Sequence, residues 1–229
     1  MINKLLYRIT CSLGLMVGCL VFSNAVQAGA QVYEELSASM RNSLQKAVSD
    51  RAVSDSVFVE DEETQRWLND MSSRLQKRFP DRDERLSLLR TVNYEARRAG
   101  LDPHLVLSLI QVESAFRKYA VSKVGAQGYM QVMPFWTKTI GTKEHNLFHL
   151  RTNLRYGCII LRHYLDIEKG NLFRALGRYN GSLGKPEYPN MVLAAWKGKW
   201  SNEPTATVQS QPQRRAEAIP VVIIKTFSQ

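Results

Sequence analysis

LDPHLVLSLIQVESAF, residues 101–116, decides the fold. Asp102 can cap free backbone N–H groups, and Pro103 suits the first helical position, where its missing N–H costs nothing. The run that follows is apolar on nearly every side, which predicts a helix buried over most of its surface. Glu113 lies three, four and seven residues after Ile110, Leu109 and Val106, positions that share one helix face. A lone carboxyl group therefore projects from an apolar ridge, with Phe116 one turn further on. After Glu113 the chain carries no Asp or Glu until Glu144. The gap holds the uncharged, glycine-bearing stretch GAQGYMQVMP, residues 125–134.

Working outward, the pattern is helical on both sides. Trp67, Met71 and Leu75 recur every fourth residue, and Pro80 and Asp81 break that helix. A second begins near Asp83 and runs through Leu86, Leu89, Val92 and Ala96 to Gly100, a good C-terminal stop. Further helices are expected over 153–169, 172–178 and 191–196. No long alternating strand pattern appears, and at most a small hairpin fits between Ser122 and Val132, around Gly125 and Gly128. The expected fold class is all-α. One domain should span 63–200. Residues 29–62 read as a mobile extension containing one helix in LSASMRNSLQKAV, and 201–229 as a flexible polar tail ending in IPVVII. No internal repeat is visible.

Residues 1–28 have the three parts of a secretory signal peptide: the cations Lys4 and Arg8, an apolar stretch from Ile9 to Phe22, and a small-residue exit ending at Ala28. The apolar run is short for a membrane span, which needs roughly 20 residues. The expected destination is the periplasm or cell envelope. Two variants stand beside cleavage after Ala28: an uncleaved membrane anchor, and a lipoprotein attached at Cys19. Cys11 and Cys19 fall in the leader, which leaves Cys158 unable to form an intramolecular disulfide. Leu154, Cys158, Leu161 and Leu165 share a helical face, so Cys158 reads as a small buried hydrophobe. The formal charge is +10, and loss of Lys4 and Arg8 lowers it to +8. That surplus favours polyanions and anionic surfaces, including a membrane surface or an envelope complex, without choosing among them.

Desolvation on an apolar ridge disfavours the charged form of Glu113, so its pKa should rise. A carboxylic acid held protonated near neutral pH is what general-acid cleavage of a glycosidic bond requires. The competing reading is a buried Glu paired with Arg117, at the i+4 position. Ordinary glycosidases set a second carboxylate across the bond. Asp102 lies eleven residues upstream on the same helix, roughly 16 Å along its axis. Downstream candidates, Glu144, Asp166, Glu168 and Glu187, all fall outside the glycine-bearing loop. A mechanism with one carboxylate, in which the substrate supplies the second group, fits better.

Glu113-Ser114, Ser122, the run from Gly125 to Pro134, Asn153-Leu154-Arg155-Tyr156-Gly157 and Tyr179-Asn180-Gly181 together resemble the soluble lytic transglycosylases of the SLT type, over roughly residues 88–184. The resemblance implies a lysozyme-like catalytic domain acting on peptidoglycan glycan strands, with no cofactor and no metal. It makes Glu113 the catalytic acid and then base, with 1,6-anhydromuramic ends as product and no water consumed. It places Ser122 by the sugar at the cleavage point, Gln131 on a neighbouring sugar, and Met130 and Met133 in the groove wall. Tyr179 would hold the Glu113 carboxyl group through its phenolic hydroxyl, and Asn180 would support the site. Tyr129 and Arg178 depart from the family pattern, where Leu and Ala are usual. So does GSLGKPEYPNMVLAAW, residues 181–196. An inward-pointing Arg178 would lower the Glu113 pKa.

Other signals carry less. His145 and His149 have zinc-ligand spacing, but Asn146 stands where a metalloprotease needs Glu, and no third ligand suggests itself. Asn180-Gly181-Ser182 matches a glycosylation acceptor, though Asn-Gly is also a turn signal. Lys197-Gly198-Lys199-Trp200 could stack on a nucleic-acid base, but an exported chain argues against a nucleic-acid partner, and a solvated helix end is the simpler reading. Two alternatives to the transglycosylase remain open on sequence: a non-catalytic peptidoglycan-binding subunit of an envelope complex, and a goose-type muramidase that adds water.

Overall fold

The computed structural model describes residues 31–49, 61–142 and 144–201. The expected leader and most of the expected tail lie outside these residues. The fold is all-α. Among the described residues there are eight α-helices: α1 (Ala38–Ser49), α2 (Glu62–Leu75), α3 (Arg82–Arg98), α4 (Pro103–Ser114), α5 (Phe135–Ile140), α6 (Leu150–Ile167), α7 (Leu172–Asn180) and α8 (Glu187–Ala195). One π-helical turn, Trp196–Trp200, continues α8. The expected hairpin is reduced to two isolated antiparallel bridges, Val121 with Gln127 and Gln127 with Val132.

Local chemistry accounts for the helix starts. The side chains of Asp61, Asp81, Asp102 and Asn171 accept hydrogen bonds from the backbone N–H groups of Thr64, Glu84, His104 and Arg174. Each cap satisfies a donor that the first helical turn leaves unpaired.

Helix α4 is the axis of the molecule. Leu105, Val106, Leu107, Leu109 and Ile110 are all buried, each contributing roughly 1.5–3 kcal/mol of transfer free energy. Helices α3 and α8 and the π-helical turn pack around it. Two indoles from the C-terminal end fasten it at both ends. Trp196 Nε1 donates to Asp102 Oδ2, and Trp200 Nε1 donates to Gln111 Oε1, each over 3.0 Å. Trp200 is fully buried and joins the core, whereas Lys197, Gly198 and Lys199 remain exposed, as a solvated helix end would be.

The extension also differs from expectation. Residues 31–49 are packed against the domain. Leu36, Leu44 and Val48 join the core, and α1 lies against α5 and α6. An amphipathic helix of twelve residues is marginal alone, so its apolar stripe needs this tertiary partner. Arg98 and Arg155 reach the last turn of α1, donating to the carbonyls of Ala47 and Val48. Both also pair with the buried Glu95, as does Arg151, which ties α3 to α6. Cys158 is buried as expected. Between α1, α3 and α6 lies a cavity of about 440 Å³ lined in part by Leu44, Ile159 and His163, and it shares no residue with the site below.

Candidate active site

Glu113 occupies the last turn of α4, where the helix stops abruptly. Ala115 (φ 48°) and Phe116 (φ 60°) both adopt left-handed backbone, a conformation that costs a residue with a Cβ about 1 kcal/mol or more. The cost is offset by packing. Phe116 is buried between Phe79 and Trp200, with ring centroids 6.3 and 5.6 Å away. The sharp turn brings the end of α4 against the loop 125–134, where Ser114 Oγ donates to the Tyr129 carbonyl over 2.7 Å.

That loop is held from below by Asn153. Its Oδ1 accepts from Met130 N–H at 2.8 Å, and its Nδ2 donates to the carbonyls of Gln127 and Leu147. Gly128 lies directly on this amide, at φ 76°, and a Cβ there would stand 2.3 Å from Asn153 Nδ2. Gly157, one turn later on α6, admits the Met130 side chain; a Cβ at 157 would stand 2.4 Å from its Sδ and 2.7 Å from its Cβ. Gly157→Ala should therefore push Met130 and its carbonyl out of place and destabilise the chain by about 2 kcal/mol. Urea unfolding checks this, and an unchanged midpoint would remove Met130 packing from the account.

Around Glu113 the chemistry is spare. The carboxyl group is buried, 5% exposed. Oε1 accepts a 2.5 Å hydrogen bond from the Tyr188 hydroxyl. Oε2 is buried without a hydrogen-bond partner among the described residues. Burial pushes the Glu113 pKa up to about 8, against a smaller downward pull from Tyr188. The competing ion pair does not form: Arg117 Nε donates to the Ser114 carbonyl. Arg178 does not point inward either. It is engaged by Glu168 and Glu34.

The expected site residues fall into distinct groups. Tyr179 is fully buried, but its hydroxyl donates to the Met130 carbonyl at 2.7 Å and not to Glu113. Tyr188 takes the expected place. Sequence reading missed it because it lies 75 residues from Glu113, in the stretch that departs from the family pattern. Met130 is fully buried, so it belongs to the core beneath the loop and not to a groove wall. The Gln131 side chain is also turned inward. It is 1% exposed, and its Nε2 donates to the carbonyls of Ala120 and Gly128. Its backbone is left-handed, at φ 47°. Met133 is half-buried. Ser122 Oγ accepts from Ala126 N–H and closes a turn. Asn180 Nδ2 donates to Ser182 Oγ, and its buried Oδ1 has no partner among the described residues. Tyr129 is buried, and desolvation raises its hydroxyl pKa to about 12.

One more segment meets this loop. The side-chain amide of Gln31, itself 3% exposed, donates to the Gln131 carbonyl at 3.0 Å and accepts from Met133 N–H at 2.8 Å. Tyr33 contacts Phe135 edge to face at 5.6 Å, and Glu34 pairs with Arg178 at 2.6 Å.

The other polar signals have ordinary partners. His145 Nδ1 shares a 2.7 Å hydrogen bond with the Tyr156 hydroxyl. No group of three or more His, Cys, Asp or Glu side chains able to hold a metal occurs among the described residues.

The site falls within a stretch that matches a known family. Residues 90–188 match the transglycosylase SLT domain. A transglycosylase of Enterobacteria phage PRD1 is 33% identical over 110 residues, 45% of this chain and 40% of the phage protein. Membrane-bound lytic murein transglycosylase C of Actinobacillus pleuropneumoniae serotype 5b (strain L20) is 54% identical over 39 residues, 17% of this chain and 11% of that protein. The chain thus spans less than half the length of these relatives. Among solved structures, an inactive mutant of the lytic transglycosylase Slt from Pseudomonas aeruginosa aligns with 24% identity. The alignment covers 46% of this chain and 20% of that one, with a TM-score of 0.38.

Proposed function

We propose that this chain, which carries a transglycosylase SLT domain at residues 90–188, is a peptidoglycan lytic transglycosylase. It cleaves the β-1,4 bond between N-acetylmuramic acid and N-acetylglucosamine. The observation that carries this reading is Glu113: a buried carboxyl group with a pKa of about 8, one oxygen held by Tyr188 and no cation paired to it among the described residues. Such a group keeps its proton at neutral pH, and Oε2, the oxygen without a partner there, is the one able to donate it.

The steps follow from that geometry. Glu113 gives its proton to the glycosidic oxygen as the bond to C1 breaks. The acetamido oxygen of the muramic acid attacks C1 and carries the positive charge in place of a protein nucleophile. Glu113, now ionised and steadied by Tyr188, removes the proton of the C6 hydroxyl. O6 then closes on C1, the acetamido oxygen leaves, and the carboxyl group is protonated again. No water enters.

No carboxylate charge adds to burial and Tyr188 in setting the Glu113 pKa, which supports a site without the second carboxylate of a hydrolase. The two carboxyl groups of glycosidases stand roughly 5–9.5 Å apart, whereas Asp102 sits at the far end of α4 in hydrogen bonds with His104 and Trp196. Glu95 and Glu168 are held by arginines. Tyr179 and Asn153 act at one remove, fixing the Met130 backbone and with it the loop that faces Glu113. Ser122, Gln131, Met133 and Asn180 remain the candidates for contact with sugar, Gln131 through its backbone.

The glycan substrate lies in the bacterial cell wall, so the chain is assigned to the cell envelope, reached through the expected leader at 1–28. No helix among the described residues is long and apolar enough to cross a membrane. Mass spectrometry of purified peptidoglycan after digestion tests the function: fragments ending in 1,6-anhydromuramic acid are expected. Reducing ends would assign a hydrolytic muramidase, and intact glycan a binding subunit.

A further inference from the structure

We propose that residues 31–36 are a built-in occupant of the glycan groove, an autoinhibitory strap whose Gln31 amide sits where a sugar acetamido group would bind. The inference rests on reading that groove as the glycan site.

The chemistry of the contact points to mimicry. An acetamido group offers one carbonyl oxygen and one N–H, and a glutamine side-chain amide offers the same pair with one further N–H. Gln31 directs its oxygen at Met133 N–H and its nitrogen at the Gln131 carbonyl. These are backbone groups of the active-site loop, on two of the residues expected to face sugar. A chain of N-acetylated sugars bound along this edge meets the same donor and acceptor and cannot share them with Gln31. The strap is held beyond the amide as well. Glu34 pairs with Arg178, directly before Tyr179, and Leu36 is buried in the core. Val32 and Tyr33, by contrast, are 58% and 56% exposed, and the edge-to-face contact of Tyr33 with Phe135 is the ring contact that holds the segment between the anchors. Two polar anchors flanking an exposed pair describe a piece that can lift while α1 stays seated.

A protein whose competent state is only partly populated binds its ligand more weakly by that fraction. Loosening the strap should therefore strengthen glycan binding without changing the chemical step. The test uses the full mature chain carrying Glu113→Gln to stop cleavage, with and without Gln31→Ala plus Glu34→Ala. Binding of tetra-N-acetylchitotetraose is measured by calorimetry. Hydrogen exchange at Met133 N–H reports whether the anchor has been released. The expected result is roughly ten-fold tighter binding with faster exchange at Met133. In the catalytically intact chain the same pair should lower KM for peptidoglycan and leave kcat alone. Equal affinity despite released exchange overturns the proposal, and weaker affinity does so too, making the strap a wall of the groove. Exchange unchanged by the substitutions shows that the amide contact does not hold the segment, which also overturns it. A chain that binds no glycan with or without the strap contacts removes the glycan reading itself.

Discussion

Glu113→Gln is expected to reduce turnover on peptidoglycan by about three orders of magnitude, the middle of the range for loss of a general acid and base. Glutamine keeps the shape and accepts the Tyr188 hydrogen bond, but it has no proton to give and cannot take one back. The same substitution makes a second, opposite prediction for stability. The folded pKa of Glu113 is about 8, above its ordinary 4.5. Its contribution to stability is therefore fully present below pH 4.5 and is lost as pH rises through 8. Complete loss corresponds to about 5 kcal/mol at the roughly 1.36 kcal/mol carried by each pKa unit. The glutamine variant has nothing to titrate at this position. Urea unfolding at pH 5, 7 and 9 should show the variant gaining steadily on the parent chain. Parallel curves would mean that Glu113 titrates as an exposed carboxylate, and the catalytic argument would lose its basis.

Tyr188→Phe carries the other large expected effect. The lost hydrogen bond is to a charged group in the ionised state of Glu113, and such bonds are worth about 1.5–3 kcal/mol. The step in which Glu113 is an anion should slow by roughly ten- to a hundred-fold. Because the Tyr188 hydroxyl pulls the Glu113 pKa down, removing it should move the corresponding limb of the pH–rate profile to higher pH. A merely structural loss would lower the rate at all pH values alike. Tyr179→Phe should behave in that second way, since its hydroxyl is spent on the Met130 carbonyl.

How much of this is legible in the sequence depends on range. The helix starts are written in single residues: Asp102 with Pro103, Asp81, the fourfold spacing of Trp67, Met71 and Leu75. Glu113 is equally plain, because one carboxylate on an apolar turn is a local pattern. The protonated state follows from the same ridge that sets the fold. Contacts across the chain are not legible. Nothing near Tyr188 marks it as a partner of Glu113, and the two meet because α8 folds back along α4. Met130 and Gln131 read as groove residues, yet the loop turns both side chains inward, one onto Gly157 and the other onto its own carbonyls. The first helix reads as mobile because its apolar residues are few. Packing against α5 and α6, aided by Arg98 and Arg155, supplies what its own sequence lacks.

The proposed catalysis depends on a carboxyl group that stays neutral because burial disfavours its charge. The most direct measurement is the carboxyl carbon chemical shift of Glu113 followed by NMR from pH 4 to pH 10, assigned by its absence in Glu113→Gln. A midpoint near 8 is predicted. A midpoint near 4.5 would show Glu113 ionised at neutral pH, with no proton to give to a glycosidic oxygen.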